Sequence, residues 1–598
     1  SLQRSDDPGI YRVATAGGAG VRVSRDGANP QFGATNDRVF MTQVEDQKTQ
    51  FVSVDLNGEA KRTHASGQLV TGYEISPRGD AVASIDNYAA YVMPLTPGPQ
   101  DVSSGKSGSA VPVVKLSEGG ATYLSWSGGG HRLNWTLGPM LYSVRLDDAL
   151  PSAPAPKLAD GEKPPKGFEP PTSGISLAID VAADKPQGVS VLSGGRVVTM
   201  ASGDGGVIED GVVVVTGNRI TAVGRRGEVS VPAGARTIDV TGKTIIPGLI
   251  DAHAHGPLGD DDIVPDQNWS AIAHLALGVT TIFDPSNRAS QAFPAAEMQR
   301  AGMILAPRIF TTAEIVYGAK GFSYADIESY DDALAHVRRL KAQGAHGIKN
   351  YNQPRREQRQ QVVASAIAEN IAVVAEGASL FTQDVTIIAD GNTSLEHNFP
   401  QAALYDDVLS FFAQTKVAYN PTLVVTYGGL AGDSYWRYVT DVWTHPILSR
   451  HVPPHILQPA SVRRTKAPEE DFVDRSSARE AKKLMDRGVM VSIGAHGQEE
   501  GMGSHWELWS FVRGGMTPLE ALKTGTVNPA RHLGFSADIG SIEAGKLADM
   551  VILNANPLED IRNSDKIDGV MQNGRLYDAL TMNERVTGTR KRAPYYWE

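Results

Sequence analysis

Up to about residue 150, apolar and polar positions alternate in paired short runs, the mark of strands joined as hairpins. Arg38–Thr42 is followed by Phe51–Leu56, Asp80–Ser84 by Tyr91–Leu95, and His131–Trp135 by Leu141–Leu146. Turn residues precede each pair: Thr35-Asn36-Asp37, Ser76–Gly79 and Ser127–Gly130. The pairs recur after 42 and then 51 residues, counted from Arg38 to Asp80 and on to His131. That period fits β-propeller blades separated by a variable loop. Three units fall short of the four that closed propellers usually need. Either a blade is degenerate or the start is missing, and an opening at Ser1 rather than Met favours truncation. A small β-sandwich with similar hairpins is the alternative.

Prolines then crowd between Pro151 and Pro171 and predict an extended linker at about 150–175. Short strands resume at Val189–Leu192, Arg196–Thr199, Val212–Val215 and Ile220–Val223, with Gly217-Asn218 in a tight turn. After Ile245 short apolar runs alternate with helix-length amphipathic segments, as in βα units around a parallel sheet. The candidate strands are Ile246–Asp251, Val279–Asp284, Arg308–Thr312, Gly347–Lys349, Ala372–Ala375, Thr393–His397, Val417–Thr422 and Val489–Gly494. Eight of them predict an α/β fold, a (β/α)8 TIM barrel preceded by an all-β domain. Gly429–Thr465 is too long for an ordinary βα loop and predicts a lid or an interface.

The 598 residues suit two or three domains, and 41% hydrophobic with 21% charged residues is ordinary for a folded chain. A net charge of −11 gives no reason to approach phosphate backbones, so nucleic acid is not an expected partner. No apolar run is long enough for a transmembrane segment. The absence of cysteine removes disulfides, zinc–thiolate sites and cysteine nucleophiles together. No signal peptide follows Ser1, so localisation stays unknown, with a periplasmic or secreted full-length protein as one expectation.

Candidate chemistry collects at the C-terminal ends of the barrel strands, where barrel enzymes place their sites. His253 and His255 follow the first strand two residues apart, so both imidazoles can reach one metal. Glu376 ends the fifth strand as a plausible hard ligand, with a salt-bridged barrel residue as the alternative; His397 ends the sixth and His496 follows the eighth, and either histidine alone would more often be structural. Lys349 ends the fourth strand. An ammonium cannot ligate, but a carbamate formed with CO2 becomes an anionic bridge between two cations. Asp284, at the end of the second strand, is a candidate to orient a histidine ligand. Tyr317 and Gln267-Asn268-Trp269 are candidates to shape the pocket.

Ile246-Pro247-Gly248-Leu249-Ile250-Asp251-Ala252-His253-Ala254-His255 resembles the first barrel strand of the amidohydrolase superfamily. The run Gly540–Leu553 is similar to that superfamily's return from barrel to sandwich, Asn528-Pro529-Ala530-Arg531 to the end of its last barrel helix, and Val570–Gly574 to its closing hairpin. Gln353–Gln360, Asn420–Val425 and Gly494–Gln498 resemble the subgroup with an N-terminal Tol-type propeller. The resemblance implies a propeller-like domain over 1–187, a composite β-sandwich from 188–245 and 536–580, a hydrolase barrel over 246–535 and a tail over 581–598. Two positions depart from the superfamily: Glu376 stands where histidine is usual and His496 where aspartate is usual.

The resulting expectation is a metal-dependent hydrolase cleaving the C–N bond of an amide, cyclic amide or dipeptide-like substrate. Two divalent ions, zinc by expectation, would be held by His253, His255 and His496 and by Glu376 and His397, with carbamylated Lys349 between them. His496 is the first candidate for the catalytic proton shuttle, and His505 or Glu499 the second. Partners are a small molecule or short peptide and, through the propeller, a protein; a homo-oligomer is expected. A catalytically silent barrel in a propeller-based binding protein is one alternative. A single-metal deaminase with unmodified Lys349 is another.

Overall fold

The computed structural model describes residues 7–102, 111–151, 167–201, 206–260, 262–319 and 324–598. Most of the proline-rich linker, 152–166, lies outside the described residues, as do residues 1–6. The chain divides into two units, Ser1–Asp180 with Tyr317–Gly344, and Val181–Val316 with Ala345–Glu598.

In the first unit each expected hairpin forms the middle of an antiparallel sheet. Arg38–Glu45 pairs with Lys48–Asp55, Ala81–Asp86 with Ala89–Pro94, and Arg132–Leu137 with Met140–Arg145. Flanking strands absent from the sequence reading complete them, among them Arg62–Gly67, Val70–Ile75 and Thr122–Ser127. Phe40, Phe51 and Tyr73 fill one apolar centre, and Leu133 and Trp135 another. The helix Tyr330–Gln343 belongs to this unit although the sequence places it between barrel strands. The Arg339 guanidinium lies 3.8 Å from the Tyr88 ring centre, and His336 meets the same ring edge-on. Ser329 and Asp332 close a capping box at its start.

In the second unit, strands from both flanks of the barrel share one eight-stranded sheet. Val189–Val198 pairs with Val207–Thr216, while Thr244–Pro247 runs antiparallel to Met550–Leu553 and so joins the two halves. The expected strand Ile246–Asp251 is thereby split: residues to Pro247 serve this sheet, and Leu249–Asp251 is the first barrel strand. Gly248 permits the crossing, because a Cβ there would overlap the Thr280 side chain.

The barrel strands run parallel. Leu249–Asp251 pairs with Val279–Asp284 and that with Arg308–Thr311. Gly347–Tyr351, Ala372–Glu376, Ser394–Glu396 and Ala418–Asn420 follow in order. The eighth position is reduced to a bridge between Val491 and Tyr419, and the Ala252 amide donates to the Ile493 carbonyl. The ring of strands is consistent with a TIM barrel. Near-continuous apolar runs suit strands covered on both faces. Val279–Asp284 is buried at every position.

The segment expected to form a lid holds short helices, including Gly432–Val439 and Pro446–His451. Trp436 is buried, and its indole donates to Ser510 Oγ at 2.9 Å on the helix Met502–Arg513. Among the described residues no helix is long and apolar enough to cross a membrane.

Candidate metal centre

Two groups of side chains, His253 with His255 and His496, and His253 with Glu376 and His397, offer ligand atoms within 4.8 Å of one another. Strand geometry explains the first pair, since side chains two apart face the same way. His496 arrives from the opposite end of the sequence. Its amide donates to the His253 carbonyl at 2.7 Å. Gly494 makes this approach feasible, because a Cβ there would crowd the Asn420 amide and come within 2.7 Å of His253 Cβ.

His397 and His496 have left-handed backbone, φ 66° and 56°, an uncommon state for a residue with a Cβ. It turns both side chains out of strand alternation, and such strain clusters at functional sites. One consequence is that Glu396 is buried as well as its neighbour His397. Glu396 Oε2 accepts from His253 Nδ1 at 2.7 Å, and Ser394 Oγ donates to Glu396 Oε1 at 2.6 Å. Sequence reasoning missed Glu396; its signal was an acidic residue at an inward position of a three-residue strand.

The remaining imidazoles are oriented in the same manner. His255 Nδ1 donates to Asp284 Oδ1 at 3.1 Å, as expected for Asp284, and the Thr422 hydroxyl lies 2.6 Å from His397 Nδ1. A histidine anchored through one nitrogen presents the other as a ligand. His253 Nε2 is buried and has no hydrogen-bond partner among the described residues. An orphaned nitrogen at the centre of such a cluster fits a divalent cation. Burial, helped by Lys349 and the neighbouring imidazoles, holds His253 well below the usual histidine range. Burial likewise takes His496 down to about 3, in the neutral form that ligates metals.

Glu376 is 5% exposed, and burial alone would raise it. The Lys349 and His397 charges outweigh burial and keep it ionised below the usual carboxylate range. Lys349 Nζ lies 2.6 Å from Glu376 Oε2, and His397 Nε2 lies 2.9 Å from Oε1. The structure therefore brings together all six expected ligand residues: His253, His255, Lys349, Glu376, His397 and His496. Asp251 is also buried, but its carboxylate accepts from the His253 and Ala495 amides and from Ser504, tying the first strand to the eighth.

The other catalytic candidates are held elsewhere. His505 Nε2 donates to the Leu277 carbonyl at 2.8 Å and its Nδ1 lies 3.0 Å from Ser564 Oγ; its only ring neighbour among the described contacts is Trp509. Glu499 accepts from Arg437 Nε at 3.0 Å, which links the loop after His496 to the helix Gly432–Val439. Asn268 caps the helix Trp269–Ala276, accepting from the Ser270 and Ala271 amides, and Gln267 donates to the Pro594 carbonyl. Tyr317 belongs to the first unit.

Imidazolonepropionase of Sphingopyxis alaskensis is 25% identical over 382 residues, 60% of this chain and 89% of that protein. The imidazolonepropionase of Symbiobacterium thermophilum is 25% identical over 413 residues, 62% and 92% respectively. Among solved structures, a Xaa-Pro dipeptidase with methionine in its active site aligns with a TM-score of 0.51 at 21% identity, over 65% of this chain and all of that one. Its likeness concerns the fold alone. The pattern of the amidohydrolase family matches residues 244–577, more than half of the chain. The chain belongs to the amidohydrolase family, hydrolases that act on carbon–nitrogen bonds.

Proposed function

We propose that the protein hydrolyses the C–N bond of a small amide, cyclic amide or dipeptide, using two divalent cations, zinc by preference, at the barrel mouth. The observation that carries this reading is the orphaned His253 Nε2 within a cluster of four imidazoles and one ionised carboxylate. In this assignment His253, His255 and His496 serve one cation, and Glu376 and His397 the other. Lys349, as a carbamate, would add an anionic ligand beside Glu376. One Nε2 serves one cation, so His253 is given to the first group although it lies within reach of both. Bound divalent cations supply acidification of water and polarisation of a carbonyl oxygen.

The chain's own residues do the rest. Glu396, Asp284 and Thr422 fix the ligand imidazoles, and ionised Glu376 offsets part of the positive charge that histidine at 496 leaves uncompensated. We assign the proton transfer to the His496 imidazole, which as a ligand has no free basic nitrogen and so would serve only on leaving the cation: neutral, it would take up at that nitrogen the proton released by the attacking water and return it to the leaving nitrogen. His505 and Glu499 are set aside, because their polar atoms are already bonded within the packing. The imidazolonepropionase relatives support a cyclic amide, and the dipeptidase fold a dipeptide.

One five-stranded and two four-stranded sheets in succession, antiparallel but for one short parallel edge strand, support a propeller-like first domain of the Tol type, with a protein or peptide as its partner. The test is metal analysis joined to assay. The purified chain should carry about two equivalents of divalent metal and hydrolyse members of a panel of imidazolones, N-acyl amino acids and Xaa-Pro dipeptides. Chelation should abolish turnover and re-addition restore it. A metal-free chain indifferent to chelators would sink the reading.

A further inference from the structure

A second cleft of about 310 Å³ is lined in part by the helix Met502–Arg513 and by none of the histidine-cluster residues. Its volume falls in the range of small-molecule sites, about 300–1,000 Å³. Val442, Met502, Trp506 and Trp509, each at most 5% exposed, give it an apolar floor, and the exposed Arg562 also lines it. The remaining charges that line it are already paired. Asp565 is met by His445 at 3.4 Å and Lys566 at 3.1 Å, and Asp441 by Arg464 at 2.9 Å.

Arg562 makes no ion pair among the described residues. Its guanidinium instead lies 5.5 Å from the Trp436 ring and 5.7 Å from the Trp509 ring, an arrangement that holds it without using its donors. The turn that carries it, Ile561–Asp565, is fastened to the cleft floor, since the Trp509 indole donates to Ile561 O at 3.1 Å and Ser564 Oγ at 3.0 Å. A held, uncompensated guanidinium beside an apolar floor recognises a planar anion through its two-pronged edge. The Asp441 and Asp565 carboxylates at the same cleft oppose a second negative charge.

We infer that this cleft binds a small monocarboxylate with an apolar body, its carboxylate on Arg562 and its body against Met502 and Trp506. No residue of the histidine cluster reaches the cleft, so the ligand is bound there and not hydrolysed.

The experiment is calorimetric titration of 3-phenylpropionate into the full metal-loaded chain, with 3-phenylpropanol as its uncharged counterpart. The variants are Arg562→Gln, Arg562→Lys and His253→Ala. One site is expected in the wild type and in His253→Ala. Binding should weaken about tenfold or more in Arg562→Gln and for the alcohol, with Arg562→Lys between, at unchanged melting temperature. Equal affinity in Arg562→Gln overturns the inference. So does loss of binding in His253→Ala, which would place the carboxylate on the metal centre, and so does the absence of binding at millimolar concentration.

Discussion

His253 concentrates the logic of the site in one side chain. One ring nitrogen is spent on Glu396 and the other is buried with no hydrogen-bond partner among the described residues. Glu396→Gln keeps the shape and removes the charge that orients this imidazole. Metal affinity should fall about 10–100-fold while the fold survives, read by competition with a chromophoric chelator. His253→Ala should lose one equivalent of metal and all measurable turnover. A different residue reports on pH. Burial pushes Asp384 up to about 7, its Oδ1 accepts from the Ala378 amide, and its Oδ2 is unpartnered among the described residues, as suits a protonated carboxyl. Folded above its unfolded value, it contributes stability that is full below about pH 4 and is lost as pH rises towards 7. The loss is on the order of 1 kcal/mol per pH unit in that window. Asp384→Asn should flatten that part of the stability profile, measured by urea unfolding at several pH values.

The Gly432–Val439 helix is joined to the barrel by the buried Trp436 indole and by the Arg437–Glu499 ion pair. Trp436→Ala should cost about 3–5 kcal/mol in chemical unfolding, the usual range for emptying a large aromatic site. Arg437→Ala, at a side chain 25% exposed, should cost far less stability yet loosen the loop that carries His496, so metal release should quicken. At this scale much was legible from sequence. The hairpins of the first unit, the order of the barrel strands and the six side chains that cluster at the strand ends follow from periodicity and from polar residues at strand ends. What escaped has physical causes. The split at Gly248 is invisible because one apolar run feeds two sheets. The eighth strand shrinks to a bridge because residues after Val491 are held by hydrogen bonds to neighbours on both sides rather than by a ladder. Glu396 was overlooked because a left-handed His397 breaks the alternation on which inward and outward positions are reckoned.

For the whole molecule, metal and stability should be linked. A cation that binds the assembled cluster and not the unfolded chain stabilises by about 2.7 kcal/mol at a hundredfold excess over its dissociation constant. Chelation should therefore lower the melting temperature as well as abolish turnover, and zinc should restore both. If melting is indifferent to metal while the cluster residues remain intact, the centre contributes nothing to the folded state.

Tyr330–Gln343 returns from the midst of the barrel sequence to pack with residues more than two hundred positions earlier, setting Arg339 on Tyr88. The two units are thus interleaved along the chain, since the first takes one helix from within the sequence of the second. Cutting in the proline-rich linker would leave one helix of the first unit on the other fragment. A fragment ending there would lack a helix that covers it, and recombination at that point would exchange an unfinished piece, so the pair must be inherited and engineered as one.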